Sequence, residues 1–193
     1  RFLREGKWLQ GRMDLGTTVK GKRLGILGLG RIGKAVARRA EAFGLHIQYF
    51  DIKPMGDLTY RAYPTLIDLA KASDILLVTC EGGEANRGLV SAEVLDALGP
   101  DGFLVNTARG PIIDEPAMVK ALKEGRIAGA GLDVFDREPI VPEELMAMEN
   151  VVLTPHIASS THETRRAMGD LVFDNLHAHF NGKPVLTPVP PQI

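Results

Sequence analysis

Three glycines at fixed spacing are the first feature of this sequence that could bind a ligand. Gly28, Gly30 and Gly33 spell G-x-G-x-x-G directly after an apolar run at residues 24–27. In such motifs the first glycine allows a tight turn, the second lets the backbone approach a pyrophosphate, and the third allows close helix–strand packing. The N–H groups at the start of the next helix favour negative charge. The motif predicts a dinucleotide site, although a glycine-rich turn without a ligand has the same pattern.

A carboxylate follows at the spacing expected for a ribose contact. A second apolar run, residues 46–50, ends at Asp51, which lies about 20 residues after the glycines, where an acid that accepts from ribose hydroxyls belongs. A carboxylate repels the additional phosphate of NADP, and Ile52 offers no cation, although Lys53 is close. We therefore expect NAD(H) to be preferred over NADP(H).

Strand and helix patterns alternate along the chain. Apolar runs of strand length occur at residues 24–27, 46–50, 75–78, 103–105, 128–132 and 151–153, with a brief strand expected at 60–63. Runs without polar alternation are typical of a parallel sheet that is covered by helices on both faces. The sequence therefore predicts a doubly wound α/β fold of the Rossmann type.

Capping signals place the helices between these strands. Thr65 and Ser160 each precede an acidic residue by three positions, as in a capping box, and Asp114 is a predicted N-cap. The helix after Ser160 is expected to reach about Phe180. Further helices are predicted at residues 91–98 and 115–124, and loops at 53–56, 81–87 and 187–193.

The helix after the glycines has its own pattern. Ile32, Val36, Ala40 and Phe43 recur at helical spacing and predict its apolar face, and Gly44 is the expected C-cap.

Polar side chains follow several of the predicted strands. In doubly wound sheets, ligands bind beyond the carboxyl ends of the strands. The residues at these ends that could do chemistry are Asp51, Arg109, Asp133 and His156. The remaining histidines show no metal-ligand spacing, so we expect no metal site.

Composition excludes several classes of protein. The 193 residues are 45% apolar and 24% charged, with a net charge of −1, which argues against nucleic acid or a membrane surface as the main partner. No apolar run has the length of a membrane span. The single cysteine, Cys80, excludes an internal disulfide and predicts a reducing, cytoplasmic environment.

Several longer motifs together resemble one enzyme family. Arg109 lies in N-T-A-R-G, Glu138 in D-V-F-D-R-E-P and His156 in T-P-H-I-A-S, and G-L-G-R-I-G and G-R-I-A-G-A-G-L-D-V-F complete the set. Across essentially the whole chain, the sequence resembles the D-isomer-specific 2-hydroxyacid dehydrogenases. The runs P-I-I-D-E-P and E-N-V-V-L-T-P-H resemble most the glyoxylate, hydroxypyruvate and hydroxyphenylpyruvate reductases.

The resemblance implies a catalytic triad for reducing a 2-oxo acid with NAD(H). His156 would be the general acid, since imidazole titrates near neutral pH. Glu138 would orient its ring, and Arg109 would hold the keto oxygen and the carboxylate by directed donors. Taken singly, each could be an ordinary loop residue, and Asp136 competes with Glu138 for its role.

The resemblance also implies the cofactor contacts. The loop Glu81-Gly82-Gly83 departs from the P-L-T that is usual in the family, so its contacts are the least defined. The expected contacts are Gly28, Gly30, Arg31, Ile32, Gly33, Asp51, Cys80, Thr107, Ala108, Arg109, Asp133, His156, Ala158 and Ser159.

Family members carry a substrate domain that we expect to be largely absent here. The chain begins at Arg1 rather than Met, and little sequence precedes the glycine motif. We expect residues 1–16 to be a connector, 17–180 the dinucleotide-binding domain, and 181–193 a tail. The resemblance further implies a homodimer and very low activity for this chain alone.

Two other functions remain open at this point. The same fold serves co-repressors that use NAD(H) as a conformational ligand, and such proteins can retain the triad. A nucleotide-binding module without catalysis is the second. Turnover of a 2-oxo acid would separate an enzyme from both.

Overall fold

A seven-stranded parallel sheet is the frame of this protein. The computed structural model describes residues 2–13, 15–53 and 59–189. The strand order is β3-β2-β1-β4-β5-β6-β7, which reverses direction between β1 and β4, as in a doubly wound sheet. The predicted fold is confirmed. The strands are β1 (Arg23–Leu27), β2 (His46–Phe50), β3 (Arg61–Ala62), β4 (Ile75–Val78), β5 (Phe103–Asn106), β6 (Gly129–Leu132) and β7 (Val151–Leu153).

Six α-helices occur in the described part of the chain. They are α1 (Arg31–Glu41), α2 (Leu66–Lys71), α3 (Ala92–Leu98), α4 (Glu115–Lys123), α5 (Glu143–Ala147) and α6 (His162–Phe180). Short 3-10 helices lie at Lys7–Leu9, Glu84–Asn86 and Gly110–Ile112. The chain divides into two compact units, Arg1–Pro155 and His156–Ile193. The domain limits expected from the sequence stay a prediction.

The strands end in one row. In-register pairing aligns Leu27, Phe50, Val78, Asn106, Leu132 and Leu153 across the sheet. The next residue of each strand therefore lies along the same edge, where ligands bind in such folds. These next residues are Gly28, Asp51, Thr79, Thr107, Asp133 and Thr154.

Helix α1 packs on the sheet through small residues, and only part of its predicted apolar face is buried: Ala40 is buried and Val36 packs against the core. Gly33, Ala37 and Ala40 are buried, whereas Ile32 and Phe43 are 63% and 71% exposed. A backbone that approaches the strands this closely leaves no room for larger side chains, so the buried stripe is made of glycine and alanine. The hydrophobic pattern alone pointed to the larger residues.

Helix caps follow the sequence at two positions in the first unit. The Thr65 hydroxyl accepts from the N–H of Asp68 at 3.1 Å, and the Asp114 carboxylate accepts from that of Ala117 at 3.1 Å. Gly44 is not the cap residue of α1, which ends at Glu41 with Ala42 as C-cap. Gly44 instead forms the left-handed turn that follows, with φ 75.

The second unit is built around α6. Its N-cap is Thr161, whose hydroxyl accepts from the N–H of Thr164 at 3.1 Å, so the expected cap at Ser160 is wrong. Asn175 and Thr187 hydrogen-bond twice, which ties the segment after α6 to the helix. The predicted loop at 54–56 and the end of the Pro-rich segment, 190–193, lie outside the described residues.

Candidate active site

The glycine turn after β1 is held by backbone contacts to the end of β4. Gly28 has φ 89, and a side chain there would lie 2.6 Å from the Cα of Cys80. The Thr79 hydroxyl donates to the carbonyl oxygen of Gly28 at 2.7 Å. Helix α1 then begins with Gly30 as its N-cap, and a Cβ added to Gly30 would meet nothing within 4 Å. This open space before a helix N-terminus fits a pyrophosphate group.

Asp51 holds the glycine turn as well as facing the ligand space. One carboxylate oxygen accepts from the N–H of Leu29 at 2.8 Å, and the other accepts from the N–H of Lys53 at 2.9 Å. Each carboxylate oxygen has two lone-pair directions, so each can accept one more hydrogen bond. Asp51 can therefore bind two ribose hydroxyls while it fixes the turn.

These residues line the smaller of two cavities at the carboxyl edge of the first unit. Its volume is about 220 Å³, and Gly28, Gly30, Asp51 and Cys80 line it as expected. Lys53 also lines it, beside Asp51. Glu81 and Asn86 add further polar groups to a lining that also includes Leu27, Phe50 and Leu89, and this mixed cavity fits the adenosine end of a dinucleotide.

Cys80 lies between the two cavities and lines both. Burial, together with the negative charges of Asp51 and Glu81, raises the pKa of its thiol to about 11. The thiol is thus neutral at physiological pH, and this position gives the cofactor space a half-buried, uncharged wall.

The larger cavity, of about 620 Å³, contains the predicted substrate-binding arginine. Ile32, Cys80, Thr107, Ala108 and Arg109 line it. Arg109 is exposed, and its Nη1 donates to the carbonyl oxygen of Ala108 at 2.6 Å. Its guanidinium is the cation that could bind a carboxylate ligand at this edge.

A buried asparagine holds the turn that carries Arg109. The Asn106 side chain accepts from the N–H of Ala108 and donates to the carbonyl oxygen of Arg109, both at 3.0 Å. Gly110 follows in direct contact with backbone, because a Cβ there would lie 1.9 Å from the carbonyl carbon of Phe135. The backbone on both sides of Arg109 is therefore fixed.

Two acids follow β6. Asp133 is only 6% exposed, and the Thr154 hydroxyl donates to its carboxylate at 2.5 Å. Glu138 accepts from the N–H of Phe135 at 3.1 Å, which folds this loop back on itself. Competing Asp136 instead pairs with Arg87 at 3.3 Å. Both acids therefore have partners within these loops, and the choice of Glu138 over Asp136 for the expected triad stays a prediction.

The remaining expected residues lie in other places. Arg31 and Gly33 belong to the first turn of α1. His156, Ala158 and Ser159 belong to the second unit, where His156 is exposed and has a left-handed backbone with φ 53. The joint assembly of Arg109, Glu138 and His156 stays a prediction.

The parallel sheet and the glycine turn already indicate a nucleotide-binding fold. A match to one family model decides the family. Residues 1–158 match the model described as D-isomer specific 2-hydroxyacid dehydrogenase, NAD binding domain. The chain belongs to this dehydrogenase family.

Two relatives of this chain are reductases. The chain is 56% identical to glyoxylate/hydroxypyruvate reductase A of Arabidopsis thaliana over 98% of this chain and 60% of that protein. It is 54% identical to hydroxyphenylpyruvate reductase of Plectranthus scutellarioides, with the same coverage. These relatives give no support to a co-repressor. The chain spans about three fifths of the length of either relative.

A solved structure of a related protein has the same fold as this chain. The NADPH-dependent glyoxylate/hydroxypyruvate reductase of Sinorhizobium meliloti, in complex with NADP and malonate, superposes with a TM-score of 0.93 and 49% identity. The superposition covers 98% of this chain and 60% of that one. The cofactor class expected from the sequence, a nicotinamide dinucleotide, agrees with this relative and with the family description.

Several residues around the candidate site were not predicted. Thr79 and Arg87 act through contacts to residues distant in the sequence, Gly28 and Asp136, and such contacts leave no local motif. Asn106 bonds to nearby Ala108 and Arg109, and its place in N-T-A-R-G was the signal that could have indicated it. Gly82 and Gly83 line the larger cavity, and their departure from the family pattern was the signal that could have indicated them.

Neither a metal site nor a membrane-spanning helix occurs among the described residues. Within residues 2–13, 15–53 and 59–189, no group of three or more histidine, cysteine or acidic side chains could hold a metal ion. In the same ranges no helix combines the length and the apolar character that crossing a membrane requires.

Proposed function

We propose that this chain is the cofactor-binding part of an enzyme that reduces a small 2-oxo acid, of the glyoxylate, hydroxypyruvate or hydroxyphenylpyruvate type. The observation that carries the proposal is the exposed Arg109 in a 620 Å³ cavity next to the glycine turn. A guanidinium at this point is positioned to bind the acid beside a nicotinamide ring. Names of close relatives support the same class of substrate.

Three residues of this chain have roles in the proposed reduction. Arg109 binds the substrate carboxylate and polarises the keto oxygen, because its planar fork matches such groups. His156 donates the proton to that oxygen, and Glu138 orients the imidazole. A bound nicotinamide nucleotide supplies the hydride. Reduction therefore needs a protonated His156 and oxidation a neutral one.

NAD(H) is the proposed physiological cofactor. Asp51 has two acceptor positions left for ribose hydroxyls, and its charge disfavours a phosphate on that ribose. The reductase of Sinorhizobium meliloti is NADPH-dependent, so the nucleotide differs among relatives, and the preference proposed for this chain rests on Asp51.

Three further points belong to the same proposal. The chain alone turns over slowly, because a substrate domain of the kind its relatives carry would orient the acid and exclude water. It dimerises through the dinucleotide-binding domain. It works in the cytoplasm, where its free thiol, Cys80, stays reduced.

One set of assays tests the proposal. The full-length protein that contains this chain is incubated with glyoxylate, hydroxypyruvate or hydroxyphenylpyruvate and either NADH or NADPH, and absorbance at the nicotinamide band is followed. Turnover with NADH and at least one acid is expected. Tight NADH binding without turnover of any of the three would favour a binding protein instead. Calorimetry that shows tighter NADPH than NADH would overturn the cofactor proposal.

The 193-residue chain is the matched comparison. It should bind NADH but reduce the best acid far more slowly than the full-length protein does. Full enzymatic rates from this chain alone would contradict the need for a second domain, and light scattering would measure whether it dimerises.

A further inference from the structure

The loop after β4 contacts the stem of Arg109 through a glycine. A Cβ built on Gly82 would lie 2.7 Å from the Cγ of Arg109 and 3.2 Å from its Cβ. These atoms belong to the root of the arginine side chain, which has less freedom to move than its tip. Any residue other than glycine at position 82 must therefore displace Arg109 or the loop.

The lack of room for a side chain, and not the backbone conformation, explains why position 82 is a glycine. Gly83 has φ 135, a conformation that other residues rarely adopt, so its backbone alone requires glycine. Gly82 is outside the left-handed region, and an alanine could adopt its backbone. The contact with Arg109 is the feature of Gly82 that a side chain would disturb.

The backbone that carries Arg109 has little freedom to move away. Asn106 holds it through hydrogen bonds to the N–H of Ala108 and the carbonyl oxygen of Arg109. On the far side, Gly110 is pressed against the backbone of Phe135.

The loop at residues 81–88 is also tied to its surroundings at its other end. Arg87 pairs with Glu84 within the loop and with Asp136 after β6, both at 3.3 Å. The N–H of Gly88 donates to the carbonyl oxygen of Pro111 at 2.8 Å, just beyond Arg109. Because both backbones are fixed, a side chain at position 82 would move the arginine side chain.

We propose that Gly82 is a positioning residue that directs the Arg109 guanidinium into the larger cavity. The proposal rests on the proposed function only in that Arg109 binds the 2-oxo acid. Gly82 itself contacts the arginine and acts on the substrate through it.

The test is Gly82→Ala in the full-length protein. Because a misplacement of about 1 Å can cost up to about 100-fold in rate, kcat/KM for the acid should fall about tenfold or more. The Kd for NADH should stay within about twofold, since the contact concerns the substrate end. The control is Gly16→Ala, at an exposed position where an added Cβ meets nothing within 4 Å, and it should change neither value.

A double-mutant cycle assigns the effect to Arg109. Arg109→Ala removes the Cγ at 2.7 Å and leaves only the Cβ at 3.2 Å, so Gly82→Ala should have a much smaller effect in that background. Equal losses in both backgrounds would overturn the proposal, as would an unchanged kcat/KM or a parallel loss of NADH affinity.

The position of Arg109 gives a readout that does not need activity. A crystal structure of the Gly82→Ala protein should show the arginine side chain displaced, and an unmoved side chain would overturn the proposal. If the unmutated protein reduces no 2-oxo acid, the proposed function fails, while this structure still decides the role of Gly82.

Discussion

The two cavities at the carboxyl edge of the first unit are built by different physical means. Around Asp51, hydrogen bonds from a carboxylate to the N–H groups of Leu29 and Lys53 fix the geometry. Around Arg109, a side chain packs against glycine backbone on a neighbouring loop, and the turn is held by Asn106. The nucleotide end is thus specified by a local motif and one acid, whereas the substrate end depends on contacts among three loops. We expect substitutions at the two ends to separate nucleotide affinity from turnover.

Arg109→Lys should give the largest separation. An ammonium group cannot reproduce the bidentate fork of a guanidinium, so kcat/KM for the acid should fall about 100-fold or more. NADH affinity should fall by much less than kcat/KM, because Asp51 and the glycine turn hold the nucleotide end independently of Arg109. Steady-state kinetics and fluorescence titration measure the two effects, with Arg39→Lys on the exposed side of α1 as control. A parallel loss of NADH affinity would break the comparison.

Asp51→Ser should act mainly on nucleotide affinity, where Arg109→Lys acts mainly on turnover. It removes the ribose acceptors and both backbone hydrogen bonds of the carboxylate, so NADH affinity should fall about tenfold, as expected for hydrogen bonds to a charged group. NADPH should lose less, because the repulsion of its phosphate is removed as well, and the preference should narrow. Calorimetry with both nucleotides measures this. Asp51→Asn, which keeps one carbonyl oxygen as acceptor, should lie between serine and the native acid.

Asp74 provides a test at the opposite edge of the sheet, away from both cavities. The Arg23 side chain hydrogen-bonds to Asp74 and lowers the pKa of its carboxyl to about 2. Because the folded pKa is depressed, the pair stabilises the protein above about pH 4, and this contribution is lost as pH falls towards 2.

At pH 7, Asp74→Asn should lower the free energy of unfolding by about 1 kcal/mol, a value reduced for the half-exposed Arg23. The difference from the native protein should shrink in urea unfolding at pH 3. Asp101→Asn, in the exposed turn before β5, is the matched control, and neither substitution should change NADH affinity. A difference that is independent of pH would show that the ion pair is not its cause.

Cys80 should give the smallest effect, since it lines both cavities without carrying charge. With a thiol pKa of about 11, alkylation by iodoacetamide should be slow at pH 7 and accelerate as pH rises towards 11. Bound NADH should slow it further, and Cys80→Ser should leave the Kd for NADH within about twofold. Fast modification at neutral pH that NADH does not affect would place the thiol outside the cofactor space.

The parallel sheet was predictable because each strand has a local sequence pattern. Buried parallel strands leave apolar runs, so β2, β4 and β7 match their predicted bounds to the residue. The face of α1 was not, because its buried stripe consists of residues that hydrophobicity ranks below Ile32 and Phe43. The five-residue helix α5 was missed, since it is too short for a periodic pattern and its N-cap, Pro142, makes no side-chain cap.

The candidate site also contains residues that could be predicted from the sequence and contacts that could not. Gly28, Gly30 and Asp51 could be predicted, because their chemistry requires particular residues at particular spacing. The contacts of Gly82 with Arg109, or of Arg87 with Asp136, depend on how loops from different strands meet. Such pairs cannot be predicted from a single sequence, because the residues meet only where the strand ends lie side by side in the sheet.

The shared row of strand ends also has a consequence for engineering. Because Leu27, Val78, Asn106 and Leu132 end their strands level with one another, each functional loop is anchored on the same rigid baseline. A loop can be exchanged for one of another length without shifting the register of its neighbours. Because residues 81–88 also contact Arg109, Pro111 and Asp136, a graft of this loop from a related protein should function only when these partners are grafted with it.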